Sequence, residues 1–174
     1  YKQMYLYRCS PGNLLEVGCG NGKRLERLRA LGWDVMGQEI DAVAASHVQA
    51  SKNIPVHLGE LETLEAPDRY DVVLLSHVIE HVHDPLSLLQ ACHKLLKPGG
   101  RLIVLTPNTA SLGHRRFGST WRGLEPPRHL HLFNGEILQR LVRQAGFSQH
   151  TNWTTLVSAF AIAAIPAIRI TIIK

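Results

Sequence analysis

At 174 residues and 45% apolar content the chain is sized for one domain with a sizeable core, which excludes a disordered or fibrous protein. Nineteen Lys and Arg against 14 Asp and Glu give a net charge of +5, and these charges are spread out rather than gathered into a nucleic-acid-binding run. The three cysteines Cys9, Cys19 and Cys92 are odd in number and lack metal-site spacing, which excludes a disulfide framework and points to a reducing, cytoplasmic setting.

Residues 13–17 form a first strand that runs into Gly18, Gly20 and Gly22. A helix over 23–31 sets Leu25, Leu28 and Leu31 on one face and stops at Gly32. A second strand covers 34–38, and Asp41 is placed to cap the helix that follows. A third, short strand spans 56–58. The fourth, 70–75, is apolar enough to be buried on both faces. Asp84 followed by Pro85 opens a helix over 85–96, and Pro98-Gly99-Gly100 ends it. A fifth strand covers 101–105. Residues 107–133 read as a long irregular loop, the kind of connection that carries function. A helix over 136–144 and a strand over 147–154 follow. The apolar stretch 156–173 is interrupted by Pro166 and Arg169. It is expected to supply buried elements, a helix over 158–164 and a strand over 168–172, rather than a membrane segment. The alternation of strands and helices predicts an α/β, doubly wound, Rossmann-like, mostly parallel sheet with helices on both faces. The whole of 1–174 is expected to form one domain. Because it opens on Tyr1 rather than Met, residues are expected upstream, and no signal peptide is visible.

In such a sheet the carboxyl ends of the strands line one crevice. The first strand brings Glu16 and the glycine loop, whose backbone leaves room for a ligand at the start of a helix. A carboxylate there would repel the pyrophosphate of a dinucleotide, so the loop does not suit a nicotinamide cofactor. It suits a ligand with an amino group and a sulfonium, such as S-adenosylmethionine. Glu39 ends the second strand, 17 positions beyond Gly22, where it can accept hydrogen bonds from both ribose hydroxyls. Glu60 and Leu61 follow the third strand, with Glu60 placed for an adenine amino group. The fourth ends at Ser76-His77-Val78.

These segments, residues 16–22, Glu39, residues 70–82 and residues 95–102, resemble in order and content a class I S-adenosylmethionine-dependent methyltransferase of the small-molecule group, similar to the ubiquinone-pathway O-methyltransferases. The resemblance covers roughly residues 13–147 and implies a seven-stranded sheet with an antiparallel last strand. It further implies that Gly18, Gly20 and Gly22, with Cys19 between them, line the methionine part of the cofactor. Glu16 would hold the cofactor's amino group, Glu39 the ribose with Ile40 beside it, and Glu60 and Leu61 the adenine. Ser76 and His77 would sit beside the transferable methyl. The implied product of the cofactor is S-adenosylhomocysteine.

Methyl transfer from a sulfonium is an in-line displacement with a neutral leaving group, so positioning dominates. A base is required only where the acceptor must lose a proton. His77, His81, His129 and His131 are the candidates. If 128–133 were extended, His129 and His131 would share one face, and Arg128-His129-Leu130 resembles a segment that follows a Trp-containing loop in this group of enzymes. That loop, with Phe117 and Trp121, reads as part of the acceptor pocket or its lid. His77-x-x-Glu80-His81 also has the spacing of an inverted zinc-protease motif, which requires a helix this stretch does not offer. The ubiquinone-pathway enzymes imply a divalent metal here, but this chain has His77 where they carry a carboxylate, and no metal is expected. The expected acceptor is an oxygen, or a nitrogen, of a small molecule. Nucleic acid is not an expected partner, a membrane is not either, and a monomer or homodimer is expected. A non-catalytic S-adenosylmethionine- or nucleoside-binding module is the alternative.

Overall fold

The computed structural model describes residue 6 and residues 9–155 and 167–174. Seven strands form one sheet in the order β3-β2-β1-β4-β5-β7-β6. They are β1 (Asn13–Val17), β2 (Asp34–Glu39), β3 (Val56–Leu58), β4 (Tyr70–Ser76), β5 (Leu96–Pro107), β6 (Gln149–Thr155) and β7 (Ala167–Ile173). The first five run parallel, and β7 is antiparallel to both β5 and β6. The doubly wound class and the antiparallel last strand are both present. The strand order runs outward in opposite senses from the parallel pair β1 and β4, and that switch point places the crevice beyond their carboxyl ends.

The central strands alternate between two apolar layers. Val72 and Leu74 of β4 and Ile103 and Leu105 of β5 face the layer built by α1 (Lys23–Ala30) and α2 (Ala42–Lys52). Val73, Leu75, Leu102 and Val104 face the layer of α3 (Pro85–Leu95) and α5 (Gly135–Gln144). Asp41, Asp84 and Asn134 cap α2, α3 and α5 by accepting first-turn amide hydrogens.

Several local expectations are corrected. Leu31 is not on the buried face of α1: it is 41% exposed, because the chain reverses at Gly32 (φ 90°) and Trp33, 2% exposed, fills the layer instead. Pro98-Gly99-Gly100 does not precede β5 but lies inside it. Tyr70 pairs with Leu96 and Val72 with Arg101, so residues 97–100 bulge opposite Asp71, where a proline costs no ladder bond. The loop after β5 is not wholly irregular: Ser111 caps a short helix α4 (Leu112–Phe117), followed by a 3-10 turn over Gly118–Thr120. The strand expected over 147–154 is β6, shifted to begin at Gln149. The helix expected over 158–164 lies outside the described residues. No helix among the described residues is long and apolar enough to cross a membrane.

Candidate active site

The glycine loop leaves β1 with Gly18, Gly20 and Gly22 all at positive φ. Two of the three have distinct reasons. A Cβ on Gly18 would lie 2.7 Å from a methyl of Val78, so the loop packs directly on the segment after β4. A Cβ on Gly20 would meet nothing within 4 Å, so the space over Gly20 is open. Cys19 turns the other way. It is 7% exposed, and a Cβ on Gly37 of β2 would come within 2.6 Å of its Sγ, so its thiol belongs to the core rather than to the crevice.

The loop is tied to its neighbours by two side chains from the end of β2. Gly18 N–H donates to Gln38 Oε1 (3.1 Å), and Gln38 Nε2 donates on to the Gly59 carbonyl (2.6 Å). Glu39 accepts from three amides, Gly20 (2.8 Å), Ile40 (2.9 Å) and Asp41 (3.1 Å). Its carboxylate is thereby fixed at the mouth of the loop. Glu16 is different. It is 3% exposed, and its Oε1 accepts from Arg24 Nη1 at 2.7 Å while its buried Oε2 has no partner among the described residues. Burial pushes its pKa up to about 7, against the opposing pull of the Arg24 charge.

Glu39, Ile40, Glu60, Leu61 and Val78 help line a cavity of about 810 Å³ beside the loop, within the range of small-molecule sites. Ile40 is 67% exposed over it, Glu60 is exposed and Leu61 is buried. These residues suit an adenosyl cofactor. The open space over Gly20 admits a ligand against the backbone, and the unpartnered Glu16 oxygen calls for a donor such as an ammonium.

A second cluster sits at the end of β4. His77 leaves the strand at φ 57°, an uncommon conformation for a histidine, with its amide donating to the Leu105 carbonyl. Its Nδ1 donates to Glu80 Oε1 at 3.1 Å, and its side chain is 45% exposed while that of Glu80 is 1% exposed. The other Glu80 oxygen accepts from Thr106 Oγ1 (3.0 Å) at the end of β5. The Glu80 carbonyl accepts from the amides of Leu130 and His131, so one residue joins β4, β5 and the far end of the 107–133 loop.

The histidines proposed as bases are not equivalent. His129 has a side chain only 4% exposed. Its Nδ1 donates to the Gly123 carbonyl (2.8 Å) and its ring packs on His81, 4.8 Å between centroids. His81 Nδ1 in turn donates to the Arg128 carbonyl (2.9 Å). A turn over 126–128 and a bend at 130 replace the extended segment, so the strand alternation that would put His129 and His131 on one face is absent, and the His131 ring lies 6.0 Å from that of Phe133. The stretch 77–81 is a bend and turn, not a helix, and so lacks the zinc-protease presentation. Even so, one ligand atom each of Glu80, His81 and His129 lie within 4.8 Å of one another. Sequence spacing could not reveal that triplet, because His129 is delivered by a distant loop. Nor did it single out Arg24, whose position in an amphipathic helix reads as an ordinary exposed cation.

A family model described as a methyltransferase domain matches residues 2–152. A protein of Mycolicibacterium smegmatis named Probable S-adenosylmethionine-dependent methyltransferase is 31% identical over 147 residues, covering 83% of this chain and 55% of its own length. A ubiquinone biosynthesis O-methyltransferase of Cereibacter sphaeroides is 37% identical over 145 residues, covering 76% of this chain and 59% of its own. The chain thus spans less than two thirds of either relative. Among solved structures, Burkholderia thailandensis 1,6-didemethyltoxoflavin-N1-methyltransferase with bound 1,6-didemethyltoxoflavin and S-adenosylhomocysteine superposes with a TM-score of 0.73. It is 18% identical and covers 98% of this chain and 74% of its own, a likeness of fold.

Proposed function

The chain belongs to the class I S-adenosylmethionine-dependent methyltransferases, and on that premise we propose that it methylates an oxygen, or a nitrogen, of a small molecule, with His77 as the base for a hydroxyl acceptor. The observation that carries this reading is the His77–Glu80 pair. An imidazole whose Nδ1–H is held by a buried carboxylate keeps Nε2 as an acceptor, and with its side chain 45% exposed it can take a proton there.

The bound cofactor supplies a methyl group on a positively charged sulfur, whose departure as a thioether needs no proton. The chain then has to orient, to shield and to move one proton. Glu39 is assigned to the ribose hydroxyls, Gly18, Gly20 and Gly22 to the methionine portion, and Glu60, Leu61 and Ile40 to the adenine end. Ser76 closes the methionine side. Cys19 contributes backbone only. His77 Nε2 takes the hydroxyl proton as the new oxygen–carbon bond forms, and the resulting imidazolium is stabilised by Glu80, itself kept in place by Thr106. His129 and His81 anchor the loop through the Gly123 and Arg128 carbonyls, and His131 hangs on the Glu80 carbonyl through its amide. That assigns His129 and His131 to shaping the acceptor side.

Transfer of labelled methyl to a panel of phenols and alcohols, set against amines, tests this reading. Replacing His77 by Asn is expected to slow turnover of hydroxyl acceptors by orders of magnitude while leaving cofactor binding intact. Equal turnover by variant and parent would remove His77 as the base.

One observation favours a second reading of the same end of the crevice. Glu80, His81 and His129 are a donor set for a divalent ion, with both imidazole Nδ1–H groups committed to carbonyls, while His129 Nε2 lies 3.6 Å from Glu125 Oε2 and would have to turn from that carboxylate to the ion. Such an ion would act as a Lewis acid on the acceptor oxygen. Activity that survives exhaustive chelation rejects it.

A further inference from the structure

We infer that Arg24 is the second arm of a clamp for the α-amino-acid end of the cofactor, with Glu16 taking the ammonium and Arg24 the carboxylate. The inference rests on the cofactor assignment above and adds to it a residue that assignment does not use.

Arg24 lies in the first turn of α1, where the positive end of the helix dipole disfavours a cation. Its side chain does not turn away to solvent. Nη1 reaches Glu16 Oε1 at 2.7 Å and Nη2 reaches Ser76 Oγ at 3.1 Å, so the guanidinium bridges the ends of β1 and β4 at the foot of the glycine loop. Those two strands are neighbours in the sheet, and the gap between their ends is the switch-point crevice. The Arg24 side chain is 38% exposed, and two of its five N–H donors are used by those partners. The remaining donors form part of a planar fork suited to a carboxylate.

Glu16 supplies the independent sign that a ligand is missing from this arrangement. It is almost wholly buried, yet Oε2 has no donor among the described residues, and a buried oxygen without a donor is costly. Arg24 fills only one oxygen. An ammonium delivered to the other would complete the carboxylate, and the same molecule's carboxylate would lie beside the guanidinium. The pair carries no net charge, and so does the zwitterion it would receive. A lone Glu16 would accept any amine. The pair asks for an amine and a carboxylate on one carbon, which is the head group that separates the cofactor from simpler adenosine thioethers.

The experiment is calorimetric titration of the parent protein and of Arg24→Gln with three adenosine thioethers. They are S-adenosylhomocysteine, its decarboxylated analogue, which keeps the amine, and 5′-methylthioadenosine, which lacks both groups. The parent is expected to prefer S-adenosylhomocysteine over the decarboxylated analogue by roughly ten- to a hundredfold, the usual range for a charge-assisted contact. In Arg24→Gln that ratio is expected to fall to near one through weaker binding of S-adenosylhomocysteine alone. Unchanged affinity for 5′-methylthioadenosine would show that the variant keeps the nucleoside site. Arg24→Lys, which keeps the charge but loses the fork, is expected to fall between the two. A ratio that persists in Arg24→Gln overturns the clamp while leaving the cofactor assignment standing. A parent that binds none of the three overturns the assignment and the clamp with it.

Discussion

The parts of the crevice that we assign to the cofactor and to the acceptor are built on different principles. The cofactor half is made from consecutive residues at the ends of β1 and β2. Gln38 and Glu39 stitch the glycine loop to its neighbours through five hydrogen bonds. The acceptor half is made from residues that meet only in three dimensions. Glu80 after β4, Thr106 at the end of β5 and the amides of Leu130 and His131 are brought together across the 107–133 loop. That loop keeps large apolar side chains partly in solvent, with Leu112 at 80%, Phe117 at 46%, and Leu130 and Leu132 at 47%. A rigid half that holds a constant ligand and an adaptable half that holds a variable one would be expected of a fold whose members share a cofactor and differ in acceptor.

The contrast is broken most forcefully at His77. His77→Asn keeps a short polar side chain that tolerates positive φ, yet cannot accept a proton at the crevice. Turnover of a hydroxyl acceptor is expected to fall roughly 10²- to 10⁴-fold, the usual contribution of a general base. The dissociation constant of S-adenosylhomocysteine should stay the same. Steady-state kinetics with calorimetry separates the two, and a loss of cofactor binding would mean the halves are not independent.

The next effect belongs to Glu16 and concerns pH. Its folded-state pKa is raised by burial to about 7, above that of the unfolded chain, so the native state holds a proton that the unfolded state has released. Its contribution is therefore fully present at pH below the unfolded value and is lost as pH rises through about 7. The ligand-free protein is expected to lose on the order of 3 kcal/mol of stability from this group between about pH 4.5 and 8. Denaturant titrations across that range should show the fall in the parent and not in Glu16→Gln. Saturating S-adenosylhomocysteine should flatten it, because an ammonium on Oε2 favours the charged form. A parent curve that is flat without ligand would contradict the environment assigned to Glu16.

How much of this was legible follows the same division. Gly18, Gly20, Gly22, Glu39 and Asp41 act within a few residues of one another or at the end of the adjacent strand, so spacing along the chain fixes their neighbours. The buried alternation of β4 is legible for the same reason. The acceptor half is not local. His129 is equally a base or a loop anchor in the sequence, and its contact with the Gly123 carbonyl is what supports the proposed anchoring. The turn at 126–128 and the bend at 130 break the alternation that would have paired it with His131. At Leu31 and the bulged start of β5, tertiary demand overrides the local signal. In one case Trp33 displaced a leucine, and in the other a bulge in the β4–β5 ladder accommodated Pro98.

Within the cofactor half, Glu39→Ala removes the acceptor of three amides as well as the assigned ribose ligand. Affinity for S-adenosylhomocysteine is expected to drop roughly ten- to a hundredfold. The loop amides would be left to solvent, so the melting temperature should drop as well. Glu39→Gln, which keeps one acceptor oxygen, should recover part of both. Intact affinity in Glu39→Ala would detach the ribose assignment from the structural role.

The smallest expected effect lies at His129 and bears most directly on whether the halves are separable. His129→Gln shortens the anchor to the Gly123 carbonyl and removes the ring that packs on His81. If His129 only shapes the loop, the Michaelis constant for the acceptor should rise a few-fold, in keeping with the roughly 1 kcal/mol of one neutral hydrogen bond. The turnover number and the affinity for S-adenosylhomocysteine should then be unchanged. A large fall in the turnover number, relieved by added divalent ion, would instead place His129 in the metal triplet with Glu80 and His81. The acceptor half would then be organised by an ion rather than by the His77–Glu80 pair.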